Sequence, residues 1–136
     1  MIDREAPVSR ALVIHPAARD GMARSEARLE EATGLAEALD LEVAEAFIAP
    51  IRKIDAGRYF GRGKLDELKA RIEENTADVA VIDTALSPIQ QRNLEKAWNV
   101  KVIDRTGLIL EIFGQRARTK EGVLQVELAR LAYERS

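Results

Sequence analysis

Residues Asp55 to Leu68, DAGRYFGRGKLDEL, combine Gly57, Gly61 and Gly63 with Lys64 just where a helix pattern begins. Glycine, lysine and a helix start together suggest phosphate chemistry, because free helix-start amides and a cation both attract anions. A phosphate-wrapping loop of the form G-x-x-x-x-G-K-[ST] needs glycine at position 58 and a hydroxyl at position 65. The chain has Arg58 and Leu65 there. The dinucleotide pattern G-x-G-x-x-G fails as well, since Gly61 and Gly63 are followed by Asp66 where the third glycine belongs. What remains is a helix start surrounded by Arg52, Lys53, Arg58, Arg62 and Lys64 against the acid Asp55, with Tyr59 and Phe60 between the arginines. Cations for phosphates and a ring for an unstacked base are what RNA offers handles for, so Arg58, Tyr59, Arg62 and Lys64 form a candidate RNA grip. The competing reading is a solvated loop whose rings fold back over the core.

Other residues support weaker chemistry. Asp83 and Asp104 end two apolar runs, where a magnesium ligand or a phosphoacceptor can stand, or simply a turn or cap residue. An adenine-nucleotide site would use Gly61, Gly63, Lys64 and Asp83. His15 precedes Pro16 and reads as a turn residue before it reads as a base. A second cationic cluster, RARTK, brings Arg116, Arg118 and Lys120 together between two helical segments. With no cysteine and one histidine, disulfides, thiolate nucleophiles and Cys- or His-rich metal sites are excluded, and no catalytic or metal-ligating set is assigned.

The elements that must position these residues alternate in type. ALVIHP, LEVAEAFI, DVAVIDT and VKVIDR read as four strands, the second half-exposed and so near an edge. Between them lie a helix with the inner stripe Leu29, Ala32, Leu35, Ala36 and Leu39, capped by Asp20 or Ser25, and a helix from Lys64 to Asn75. A third helix opens with Ser87 as cap, Pro88 in its first position and Gln90 closing a capping box. A buried helix follows the fourth strand. The last segment is helical, with Leu124, Leu128 and Leu131 on a narrow seam that pairs two copies or needs a partner. The expectation is an α/β fold: a small doubly wound parallel sheet of four strands with flanking helices, in the order 2-1-3-4, followed by a long C-terminal helix. His15, Asp83 and Thr84 would line the crevice where strands 1 and 3 part. Residues 1–104 form the α/β part and 105–136 a helical segment.

The 136 residues suffice for one domain, and 46% apolar content supplies a core. A net charge of −2 means that affinity for a polyanion has to come from a local patch. The N-terminus MIDREAPVSR has no apolar run and no stretch reaches the ~20 apolar residues of a membrane span, so the chain reads as soluble and cytoplasmic.

Two segments resemble a known family. YFGRGKLDEL is similar to the tyrosine-glycine-lysine segment of the HflX translational GTPases, and Leu86 to Glu134, beginning LSPIQQRNLEKAWNVKVIDRTG, resembles the stretch that follows in those proteins. The resemblance implies an N-terminal α/β domain with a helical hairpin, placed before a GTPase domain that uses GTP and magnesium. It also implies action on the large ribosomal subunit, including splitting of stalled ribosomes under stress. Walker A, D-x-x-G and N-K-x-D motifs are absent here, so the GTPase domain is expected to lie outside this chain, which is a fragment or a truncated homologue needing no cofactor of its own. The implied partners are ribosomal RNA and the GTPase domain itself. By the same resemblance Gly61, Gly63 and Lys64 match the family's glycine-lysine segment, and Arg116, Arg118 and Lys120 its arginine stretch. Gly107 and Gly114 lie where larger residues are common, which favours a kink near Arg116.

Overall fold

Four apolar runs become four parallel strands, and each connection between them is a helix. The computed structural model describes residues 9–18 and 21–117. In order they are β1 (Arg10–Ala17), α1 (Met22–Ala38), β2 (Glu42–Pro50), α2 (Arg62–Glu74), β3 (Val79–Ile82), α3 (Pro88–Trp98) and β4 (Lys101–Asp104). A further helix, α4, begins at residue 105 and is continuous through residue 117. The sheet order is β2-β1-β3-β4, as the pattern of short crossovers predicts, and every pair is parallel. Stepping from β2 over β1 to β3 moves the following helices to the other face, which makes the sheet doubly wound.

Strand side chains alternate between the two faces. Leu12 and Ile14 of β1 point with Ala80 and Ile82 of β3 into a cluster with Leu65, Leu68 and Ile72 of α2 and Leu94 and Trp98 of α3. Ala11, Val13, Val79 and Val81 point the other way, against Ala32 and Ala36 of α1 and Leu108 of α4. The expected α1 stripe is therefore the packed one, with Leu29, Leu35 and Leu39 at its margin.

Helix starts differ in quality. Ser87 accepts from the Gln90 amide at 3.0 Å while Gln90 Oε1 accepts from the Ser87 amide at 2.9 Å, so the capping box of α3 forms with Pro88 in its first turn. The cap of α1 is Gly21, with no side-chain bond. Ser25 lies inside that helix and is buried, which corrects its assignment as a cap; Asp20 is outside the described residues. Gly107 opens α4 where a Cβ would sit 3.2 Å from Asp104 Oδ1 and 3.3 Å from Ile103, so a larger residue would push on the cap. No helix among the described residues is long and apolar enough to cross a membrane.

Candidate nucleic-acid interface

The loop from Ile51 to Gly61 leaves the end of β2 and feeds α2. Its centre is a tight turn in which Asp55 and Tyr59 exchange two backbone bonds of 2.9 Å. The Asp55 carboxylate accepts the Gly57 amide at 2.9 Å and the Arg58 amide at 2.7 Å, an Asp-led turn that supplies partners for both donors. Two side chains of α3 reach the same turn: Gln90 Nε2 donates to Asp55 O and Asn93 Nδ2 to Gly57 O, each at 2.9 Å. None of this long-range support was visible in the sequence pattern.

The turn exposes its cations and hides its rings. Arg52, Lys53, Arg58 and Arg62 are exposed, and Lys64 is half-buried. Tyr59 is only 7% exposed and Phe60 1%. Their rings meet edge to face, centroids 5.1 Å apart at 71°, and Phe60 continues toward Trp98 at 6.0 Å. Tyr59 is thus a core residue and presents no face for a base to stack upon, which corrects its assignment as a stacking platform. Its φ of 69° lies in the left-handed region, a conformation that costs a side-chain-bearing residue about 1–2 kcal/mol and turns the ring inward. The competing reading of the rings is the one the structure realises.

Gly61 is the N-cap of α2 in extended conformation, and no side chain caps this helix. A Cβ added at Gly61 or Gly63 would meet nothing within 4 Å, so the protein's own packing does not call for glycine at either position. Lys64 Nζ reaches forward to Glu67, one turn on, at 3.2 Å and 3.4 Å. Beside this start lies an open depression of about 330 Å³ lined by Pro50, Ile51, Arg52, Lys53, Gly61 and Lys64. The direction of α2 is fixed farther along. Arg71 pairs with Glu45 of β2 and stands 3.5 Å over the Phe47 ring, and Asn75 Nδ2 donates to Glu45 at 3.0 Å. The Arg71 hydrogen bond, helped by Asn75, holds the Glu45 carboxyl below its usual range despite the opposing effect of burial.

The crevice at the ends of β1 and β3 is closed by a polar network. His15 Nδ1 and Asp83 Oδ2 are 2.8 Å apart, both residues more than nine-tenths buried. Arg105 Nε donates to Asp83 Oδ1 at 3.1 Å and its Nη2 to Asp83 O at 2.7 Å. Each carboxylate oxygen of Asp83 is therefore engaged within the protein. Asp104 is a cap: Oδ1 accepts from Gly107 at 2.8 Å and Oδ2 from Leu86 at 2.9 Å. Among the described residues, no group of His, Asp or Glu is arranged to hold a metal ion.

The two cationic clusters are not one surface. Arg116 is exposed on α4, on the face of the sheet opposite α2, and its neighbour Gln115 lies with Ser9, Leu41, Val79 and Lys101 near the strand starts. The helical run is unbroken at Arg116. Arg118, Lys120, Leu124, Leu128 and Leu131 lie outside the described residues.

Residues 26–114 match the model of the family described as "GTP-binding GTPase N-terminal". The chain is 55% identical over 108 residues to the GTPase HflX of Magnetococcus marinus, covering 79% of this chain and 25% of that protein. It is 47% identical over 106 residues to the GTPase HflX of Escherichia coli, covering 77% of this chain and 25% of that one. Among solved structures it is similar to a GTP-binding protein from the hyperthermophilic archaeon Sulfolobus solfataricus in complex with GDP, at 26% identity and a TM-score of 0.57 over 93% of this chain and 37% of that one. The chain thus spans about a quarter of the length of the curated relatives it matches.

Proposed function

We propose a function from one premise: the chain belongs to the GTP-binding GTPase N-terminal family and is the N-terminal domain of an HflX-family GTPase. In this reading the domain docks its parent GTPase on the RNA of the large ribosomal subunit, and the parent splits stalled ribosomes in the cytoplasm. GTP and magnesium belong to the rest of the parent chain. The observation that supports docking is the start of α2. Exposed Arg58 and Arg62, with Arg52 and Lys53, surround a helix start whose amides have no side-chain partner. Glycine at positions 61 and 63 leaves that start open to a phosphate backbone, which is one of the uses of glycine.

With Tyr59 in the core, the grip reads phosphates and not bases. If about three phosphates are neutralised, affinity falls by roughly 1.5 decades between 50 and 200 mM salt. Charge reversal at Arg58 and Arg62 in the full-length GTPase is expected to reduce co-sedimentation with large subunits at physiological salt by at least tenfold. Unchanged sedimentation rules this placement out.

A second surface concerns the parent itself. On the opposite face of the sheet, α4 buries Leu108 and leaves Leu110 63% and Phe113 61% exposed, with Ile109 beside them. Three large apolar side chains in two turns call for cover. The remainder of the parent chain is the occupant we assign, because this chain supplies only a quarter of its relatives' length. Leu110→Asp with Phe113→Asp should make limited proteolysis separate the N-terminal domain from the rest of the full-length protein faster. An unchanged cleavage rate contradicts the assignment.

A further inference from the structure

We propose that Asn93, together with Gln90, is a positioning residue for polyanion binding: the two α3 amides hold the Asp55–Tyr59 turn in the shape that presents Arg58. This inference rests on the docking role proposed above for the α2 start. It comes from three sets of bonds that converge on a short segment. The turn closes on itself through Asp55 and Tyr59, and the Asp55 carboxylate takes the Gly57 and Arg58 amides. Two of its carbonyls, Asp55 O, which also accepts the Tyr59 amide, and Gly57 O, are then held from α3 by Gln90 Nε2 and Asn93 Nδ2, both at 2.9 Å.

Gln90 and Asn93 are three residues apart, so they share one face of α3 and reach the turn side by side. Gln90 cannot swing away freely, because its Oε1 is held at 2.9 Å by the Ser87 amide in the capping box. The same side chain closes the start of α3 and pins the cationic turn. Tyr59, anchored in the core, fixes the far end. Most polar backbone groups of the turn are thereby engaged within the protein, and Arg58, like Asp55 and Ala56, is exposed to solvent.

A glycine-containing turn without these bonds samples many shapes, and binding has to order it, which lowers affinity without changing the number of charges neutralised. A positioning residue and a phosphate contact therefore leave different signatures in a salt titration. Losing a cationic contact lowers the slope of log affinity against log salt by roughly 0.7–0.9, whereas losing pre-organisation lowers affinity at every salt concentration and leaves the slope alone.

Asn93 is the clean probe, since Gln90→Ala also removes the reciprocal half of the α3 capping box. Gly57 offers an independent one. A Cβ there would lie 3.4 Å from Asp55 Oδ2 and 3.8 Å from Asn93 Nδ2, ordinary contact distances, so Gly57→Ala fits and restricts the chain.

The experiment measures binding of the full-length GTPase to purified large ribosomal subunits across a salt series. The variants are Asn93→Ala, Asn93→Leu, Arg58→Ala, and Gly57→Ala in the Asn93→Ala background. Hydrogen exchange at residues 55–59 and a thermal melt accompany each. Both Asn93 variants are expected to bind about fivefold more weakly with an unchanged salt slope, and to show faster exchange at Gly57 and Arg58. Arg58→Ala is expected to lower the slope, and Gly57→Ala to recover part of the Asn93→Ala loss. Wild-type binding by both Asn93 variants, with Arg58→Ala still weakened, overturns the positioning role and leaves the docking role standing. A lowered slope for Asn93→Ala overturns it too, because a cationic contact is then lost as well. No recovery from Gly57→Ala, or unchanged exchange at Gly57 and Arg58, also overturns it, because the loss then does not come from disorder in the turn. Wild-type binding by Arg58→Ala as well removes the docking role beneath it.

Discussion

Replacing Tyr59 by alanine separates the two roles that its place between two arginines allows. The structure puts the ring in the same cluster as Leu65, Leu68 and Trp98, 7% exposed and edge-on to Phe60. Truncating a buried aromatic residue costs about 3–5 kcal/mol in lost transfer energy and cavity. The left-handed backbone at position 59 does not enter this difference, since alanine at a φ of 69° carries much the same strain as tyrosine. Glycine would relieve about 1–2 kcal/mol of it and lose roughly 0.5–1 kcal/mol to chain entropy, so Tyr59→Gly should melt close to Tyr59→Ala. A loss of 3 kcal/mol or more in a domain of this size lowers the melting temperature by about 10 °C or more. Tyr59→Phe, which keeps the ring, should stay within a few degrees of wild type. The assay is a thermal melt of the 136-residue chain beside subunit binding by the full-length protein, at a temperature where every variant is folded. A ring that stacks on a base gives the reverse pattern: about 1–3 kcal/mol of binding energy lost and little stability. A melting temperature that moves by less than about 2 °C, combined with a tenfold loss of binding, refutes the core assignment.

Gly63→Ala should raise the stability of α2 by up to ~1 kcal/mol, because alanine is the better helix former and its Cβ meets nothing in the protein. The same methyl narrows the approach to the helix-start amides, so large-subunit binding should weaken as the melt rises; stability and binding that move together contradict the open-start argument. Glu45→Gln should cost about 0.5–1 kcal/mol at neutral pH, the range for a pair whose side chains are 32% and 35% exposed. Arg71 depresses the Glu45 pKa on folding, so this contribution is present above the unfolded pKa and lost as pH falls through the lower folded one. Melts of wild type and Glu45→Gln should therefore converge in acid, and a gap that persists or widens there counts against the assigned pair.

The sheet order was readable because four apolar runs joined by short helical segments admit few right-handed arrangements. That order alone placed His15 and Asp83 at neighbouring strand ends. It could not place Arg105, whose guanidinium completes the network from the start of the next helix. The α3 cap was readable because its signal is local, four consecutive residues that bond to one another. The inward turn of Tyr59 was not, because periodicity carries no information in a loop and the groups that fix the turn, Gln90 and Asn93, lie some thirty-five residues away. The cations were readable as a cluster, but only the fold shows that Lys64 is tied to Glu67 and that Arg116 belongs to another face.

The starts of α2 and α3 show where this chain departs from its own rules. α3 follows every preference for a helix start: a serine cap, proline in the first turn and a reciprocal glutamine. α2 has a glycine cap with no side-chain bond, a second glycine inside the first turn, and cations at Arg62 and Lys64 with no acid in that turn. A glycine cap in place of serine or asparagine costs only a few tenths of a kcal/mol. The inner glycine costs about 1 kcal/mol, and each cation facing the positive end of the helix costs roughly 0.3–1 kcal/mol. What holds α2 in place is tertiary: Leu65, Leu68 and Ile72 are buried, and Trp98 Nε1 donates to Leu65 O at 3.1 Å. A helix start that is unfavourable locally and stabilised from elsewhere is the kind of conflict found at functional sites. Its electrostatic part has a specific remedy, since an anion bound at the free amides reverses the repulsion between Arg62, Lys64 and the helix dipole. A phosphate backbone supplies that anion, whereas an apolar or cationic partner would leave the conflict in place.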